Sequence, residues 1–325
     1  MLYPFLFQPI LKSVIWGGDQ ICTFKGMESQ QQNIGESWEI SAVKNNVSIV
    51  ANGDLQGQSL DDLIRTFGSR LLGAQVSERF GTTFPLLIKF IDARDALSIQ
   101  VHPNDQLAKE RHNSFGKTEM WYLIRCTPSA YLYSGFSKQL SPEGYLQSLE
   151  DDTFINYLDK HEVQAGDVFY LPAGRVHAIG AGCLIAEIQQ TSDITYRIYD
   201  YNRRDSAGNP RELHTELAKD AIDYTIHSDH KLAYQPQHNS IQNLVACPYF
   251  TTNLIETDRK ETIDLASRDS FSVYICMEGQ LELTDDKGCC VQIKQGQTVL
   301  IPAECKGITL NPAVNCKLLE TFIGR

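Results

Sequence analysis

One short pattern is written twice in this chain, and it limits the fold more than any other feature. Gly166-Asp167-Val168-Phe169-Tyr170-Leu171-Pro172-Ala173 stands in register with Gly296-Gln297-Thr298-Val299-Leu300-Ile301-Pro302-Ala303. Each copy opens on a glycine suited to a turn, runs through strand-forming residues, and stops at a proline, which cannot donate to a sheet ladder. The strands upstream align as well, Trp121-Tyr122-Leu123-Ile124 against Val273-Tyr274-Ile275-Cys276. Two copies of one β unit are expected, and 325 residues give room for both.

Short β-branched and aromatic runs bounded by Gly, Pro, Asn and Asp surround the repeat: Trp38–Ile40, Leu86–Ile91, Leu97–Val101, Met120–Arg125, Val168–Leu171, Leu184–Gln189, Ile194–Tyr199, Val273–Ile275 and Val299–Ile301. The fold class expected is mainly β. Helical spacing predicts Leu60–Leu72, behind Ser59 as N-cap with Asp61 and Asp62 in the first turn. It also predicts Asp105–His112, Pro142–Tyr157 and Arg211–Tyr224, whose Leu213, Leu217 and Ala221 share a face. Nearly all of the helix precedes residue 230, so residues 1–235 are expected to form a decorated β domain and 236–325 a plainer one.

At 42% hydrophobic and 21% charged, the composition excludes a disordered or collagen-like chain. A net charge of -11 disfavours nucleic acid and anionic membrane surfaces as partners, so an anionic substrate requires a local positive pocket. No apolar run approaches the roughly 20 residues of a membrane span. Met1–Ile15 is interrupted by Pro4, Gln8, Pro9 and Lys12 and reads as structure, not as an address. Nine scattered cysteines without a Cys-x-x-Cys pair fit reduced thiols in a cytoplasm. Cys289 and Cys290 follow a hairpin turn at Asp286-Lys287-Gly288, and no redox role is assigned to them.

Chemistry concentrates on three strands. Ser98, Gln100 and His102 alternate onto one face, as do Lys117 and Glu119, and His177 follows Pro172-Ala173-Gly174-Arg175. Two imidazoles and a carboxylate suit Zn²⁺, Fe²⁺ or a similar ion and leave a position open, to which Gln100 can add an amide oxygen. His112, His161, His214, His227, His230 and His238 lack such company and read as structural or exposed. Lys89, inside the apolar run Leu86–Ile91, must meet a partner or a ligand, Asp92 and Asp95 being candidate partners. Arg197 either stacks on Tyr196, Tyr199 or Tyr201, pairs with Asp200, or serves the site. Glu187 shares a face with Ile185 and Gln189 and either pairs with Arg175 or acts as a base. The Arg203-Arg204-Asp205 run reads as a solvated loop.

The order glycine, strand, proline, histidine resembles the cupin signature, which implies two cupin-type jelly-roll barrels with a small helical decoration on the N-terminal part. Extending the repeat sets His177 opposite Gly307 and Glu119 opposite Phe271, so the second barrel is expected to lack metal ligands. Gln100–Asp105, Gly116–Tyr122, Gln189–Asp200, Trp16-Gly17-Gly18 and Gly35–Glu39 together resemble type I phosphomannose isomerase in its short bacterial form, from about residue 3 to 230. The resemblance implies one Zn²⁺ per chain on His102, Glu119 and His177, with Gln100 as a fourth ligand. It makes Arg197 an active-site residue and Lys117 a catalytic lysine, and it puts the substrate phosphate at Lys89 and Ser98. The large helical insertion of longer members before the third ligand is missing here.

The implied reaction interconverts mannose 6-phosphate and fructose 6-phosphate through an enediol, with Lys117 or Glu187 as the base. The implied partner is a small sugar phosphate, and no oligomeric state follows. Two other readings compete: a different metal-cupin enzyme, such as an iron dioxygenase, and a cupin that binds sugar without turning it over.

Overall fold

The structure, a computed structural model, describes residues 1–204 and 207–324. Its strands build four main antiparallel sheets. In the first two thirds, a six-stranded sheet runs in the order Val168–Leu171, Glu119–Cys126, Cys183–Gln190, Leu86–Ala93, Ile10–Gly18 and Ile34–Ile40. A five-stranded sheet runs Leu158–Glu162, Tyr131–Phe136, His177–Ile179, Ile99–Val101 and Tyr196–Tyr199. The last third adds a six-stranded sheet and a four-stranded one.

Alternation along the strands sets the layers. Along Glu119–Cys126, Trp121 and Leu123 join Leu132 and Ile179 in a core between the first two sheets, while Met120 and Tyr122 face the opposite way. That opposite face packs on Val273, Ile275 and Leu319, so the two six-stranded sheets lie back to back. Leu86–Ala93 is buried at every position, which explains its nearly unbroken apolar run. The outer face of the five-stranded sheet is covered by helices Pro142–Glu150 and Thr215–Ala221 through Tyr145 and Ala218.

Every predicted strand forms, with differences in detail. The helix expected at Leu60–Leu72 is cut into Leu60–Phe67 and Ser69–Leu72 by Gly68, whose φ of 50° with ψ of -123° strains any other residue. Ser59 caps it as expected, its side chain accepting from the Asp62 amide. Pro142–Tyr157 becomes a helix to Glu150 and a 3-10 turn at Phe154–Tyr157. Only Thr215–Ala221 of the segment Arg211–Tyr224 is helical. Its packed face is Ala218 and Ala221, small enough for close approach to the sheet, while Leu213 and Leu217 are exposed. Cys289 and Cys290 do follow a hairpin turn, and all nine cysteines are free.

Phe5–Leu6 pairs with Val299 and Leu300, so the start of the chain completes a sheet of the last third. One register differs from expectation. Leu171 pairs with Glu119, whereas Ile301 pairs with Ser272, so Ser272 and not Phe271 holds the place of Glu119. A slip of one residue turns a side chain to the other face, and the apolar runs around both strands conceal it. No helix among the described residues is long and apolar enough to cross a membrane.

Candidate active site

Strand pairing lines up two rows of polar side chains. His177, Gln100 and Arg197 sit side by side across the five-stranded sheet. Trp121, Glu187 and Lys89 do the same across the six-stranded sheet. Glu119 begins its strand next to these rows, and His102 directly follows Ile99–Val101.

His102, Glu119 and His177 are buried, and their ligand atoms converge. Glu119 Oε1 lies 3.3 Å from His177 Nε2, and Oε2 lies 3.5 Å from His102 Nε2. Among the described residues, Glu119 Oε1 and His102 Nε2 have no hydrogen-bond partner, and Glu119 Oε2 meets the Lys117 ammonium at 3.2 Å. Bare buried polar atoms of this kind are costly unless something satisfies them, and a cation does so for all three side chains at once. Each imidazole is held from behind: His102 Nδ1 meets the Ile194 carbonyl at 2.9 Å, and His177 Nδ1 meets the Arg175 carbonyl at 2.9 Å. A proton fixed on Nδ1 leaves the Nε2 lone pair for a metal. Burial lowers both imidazoles, His177 to about 4, so both stay neutral as ligands require. The residues therefore fit a divalent ion.

Gln100 reaches the site, but its amide nitrogen, 3.3 Å from His177 Nε2, faces inward where an oxygen was expected. A half-turn of the amide exchanges the two atoms. Lys117 is buried with Nζ 3.2 Å from Glu119 Oε2. Lys89 meets neither Asp92 nor Asp95: its Nζ lies 3.2 Å from Glu187 and 3.6 Å from Glu36, beneath the Trp38 ring. Burial alone lowers Lys89, but these carboxylates outweigh it and keep it charged. Glu187 does not pair with Arg175, which holds Asp229 instead. It accepts from Trp121 Nε1 at 2.9 Å, and although burial raises its carboxyl, Lys89 and Lys117 bring it well below the usual range.

Arg197 donates to the Glu212 carbonyl at 2.8 Å, and its buried Nε has no hydrogen-bond partner. The expected Asp200 partner is engaged by Arg203 and by Arg211, the latter at 2.6 Å through Nε. Arg203 also donates to the Ala96 carbonyl at 2.6 Å, so it anchors a loop end that the sequence suggested was solvated, while Asp205 lies outside the described residues.

These groups open onto a cavity of about 320 Å³, lined by Lys89, Ser98, Gln100, Lys117, Glu187 and Arg197 among others. That volume suits a small polar ligand. A cavity of similar size, about 310 Å³, lies at Arg79, Arg268 and Phe322 but has no cluster of metal donors among the described residues. The sequence reading missed Glu36, Trp38, Asp193, Thr195 and Arg211 in the lining. Glu36 and Trp38 were within reach, since they alternate on one strand and Trp38 pairs in register with Lys89. His161 and His230, read from the sequence as structural or exposed, gather at Asp159.

A family model described as phosphomannose isomerase type I, catalytic domain, matches residues 5–120. Mannose-6-phosphate isomerase ManA of Bacillus subtilis is 34% identical over 302 residues, 92% of this chain and 93% of that protein. Mannose-6-phosphate isomerase of Streptococcus mutans is 40% identical over 226 residues, 68% of each. Among solved structures, the mannose 6-phosphate isomerase from Bacillus subtilis superposes with a TM-score of 0.87 at 31% identity, covering 98% of this chain and 99% of that one. A phosphomannose isomerase variant from Salmonella typhimurium, at 17% identity and a TM-score of 0.80, shares the fold over 99% of this chain and 100% of its own. The chain belongs to the type I phosphomannose isomerase family.

Proposed function

We infer that this chain interconverts mannose 6-phosphate and fructose 6-phosphate. The observation that carries the reading is the buried, converging triad of His102, Glu119 and His177, with Glu119 Oε1 and His102 Nε2 unmatched, beside a polar cavity rimmed by Lys117 and Arg197. The ion is zinc, one at this site, held by the triad with Gln100 as a fourth ligand after its amide turns. When bound, it supplies Lewis acidity to a sugar oxygen.

The chain's own residues do the rest. Arg197, always charged and bound only to a backbone carbonyl, faces negative charge that develops on the sugar as the enediol forms. Lys117 carries the proton between C1 and C2. Glu187 is the weaker choice, because a carboxyl held so low accepts a proton poorly, and its contacts with Lys89 and Trp121 make it a positioning residue. Ser98, buried and cavity-lining, holds the phosphate end with Lys89, whose contribution is reduced by its two carboxylate neighbours.

Facing sheets in each part support two cupin-type barrels, residues 1–235 catalytic and 236–325 without ligands. Nine free cysteines fit a cytoplasmic location. The test is conversion of mannose 6-phosphate by the purified protein, with free mannose as the comparison. Fructose 6-phosphate formation supports the reading; binding of the sugar phosphate without conversion would make the barrel a sugar sensor.

A further inference from the structure

We propose that Asp159, His161 and His230 form a second divalent-cation site, separate from the candidate catalytic centre. Their ligand atoms lie within 4.8 Å of one another. Asp159 Oδ2 is 3.3 Å from His161 Nε2 and 3.6 Å from His230 Nε2. Around a tetrahedral ion with bonds of about 2.0–2.2 Å, neighbouring donors stand roughly 3.3–3.6 Å apart. Both Nε2 atoms are buried and, among the described residues, without a hydrogen-bond partner. The His230 side chain is only 3% exposed, which makes its bare nitrogen expensive unless an ion sits before it.

The surroundings are built to hold these rings. Ser134 Oγ lies 3.3 Å from His230 Nδ1, and a proton kept on that side directs the Nε2 lone pair toward Asp159. Gly135 lies against the ring; a Cβ there, at φ of 72°, would come within 2.5 Å of it. The edge of Phe169 supports His161 at 5.6 Å between centroids. The nearby Arg175 cation is occupied by Asp229 at 3.1 Å. Burial, followed by Arg175 and His161, lowers the His230 imidazole and favours its neutral ligand form.

Asp159 and His161 alternate on Leu158–Glu162, the edge strand of the five-stranded sheet. His230 comes from a loop whose next residue, Lys231, bridges to Phe169 in the edge strand of the facing six-stranded sheet. An ion here ties two sheet edges together. Imidazole with one carboxylate selects Zn²⁺, Co²⁺ and related ions over Mg²⁺ or Ca²⁺, which prefer all-oxygen sites. Side-chain exposures of 34% for Asp159 and 20% for His161 leave a side open to water.

The test counts ions and needs no turnover, so it stands or falls apart from the isomerase reading. Metal-free full-length protein is titrated with Zn²⁺ by calorimetry and with Co²⁺ by visible absorption. The expected result is two ions per chain for the wild type and one each for His102→Ala, Asp159→Asn and His161→Gln, all with wild-type circular dichroism. One ion in the wild type with none in His102→Ala overturns the proposal, as do two ions retained by both Asp159→Asn and His161→Gln.

Discussion

Glu187 and Glu320 hold corresponding places in the two six-stranded sheets, yet their surroundings differ. Glu187 pairs in register with Lys89 on one side and Trp121 on the other; Glu320 pairs with Asn253 and Tyr274. Around Glu320 the network closes, with Tyr274 donating at 2.6 Å, Asn253 at 2.7 Å and Arg268 at 2.6 Å. Arg268 also donates to Ser272, the residue in the place of Glu119. In the first sheet Glu119 replaces that serine, and its Oε1 is left without a hydrogen-bond partner beside His102, whose Nε2 is equally unmatched. The same scaffold is completed internally in one region and held open for a ligand in the other. A buried carboxylate is thus a sign of a site only where its hydrogen bonds are unmade.

Breaking the open region has the largest expected effect. Alanine at His102, Glu119 or His177 removes the triad's ion and abolishes turnover, checked by metal analysis alongside kinetics; wild-type-like activity in all three would contradict the site. Arg197→Ala sharpens the contrast between holding the ion and using it. The ion is retained while kcat falls about 10²–10³-fold, as for loss of a charge-stabilising donor. Loss of ion and rate together would give Arg197 a structural role.

In the closed region the effect moves from chemistry to stability. Glu320→Ala leaves Arg268, Asn253 and Tyr274 without their shared acceptor and costs about 3–5 kcal/mol in urea unfolding, while the folded fraction keeps its ion and its kcat. The smallest effect is at Asp200. Burial raises its carboxyl, but hydrogen bonds from Arg211 and Arg203 outweigh it and hold it below the ordinary 3.8. Its contribution is therefore present above that pH and lost as pH falls through its folded value. Asp200→Asn is destabilised near neutrality, and acid unfolding curves of variant and wild type converge below about pH 4.

Much of the first site was legible because strands alternate: Gln100 with His102, and Lys117 with Glu119, fall on single faces whatever the sheet order. The partners of Lys89 and Glu187 were not, since each is the other's cross-strand neighbour and this depends on Leu86–Ala93 lying beside Cys183–Gln190. The one-residue slip between Phe271 and Ser272 was hidden by apolar residues buried on both faces. His161 and His230 were set aside because no local spacing links them; only the loop that returns to Phe169 brings them together. Ser59 was readable as a cap from local chemistry alone, whereas the break at Gly68, set by that glycine's own backbone conformation, was not foreseen.

The central claim is that the buried triad of His102, Glu119 and His177 holds an ion on which the isomerisation depends. The most direct measurement follows mannose 6-phosphate turnover by one preparation as purified, after chelation with metal removal verified by elemental analysis, and after one equivalent of Zn²⁺ is restored. Activity that vanishes with the ion and returns with it is the predicted result. Turnover undiminished in the verified metal-free protein would contradict the claim.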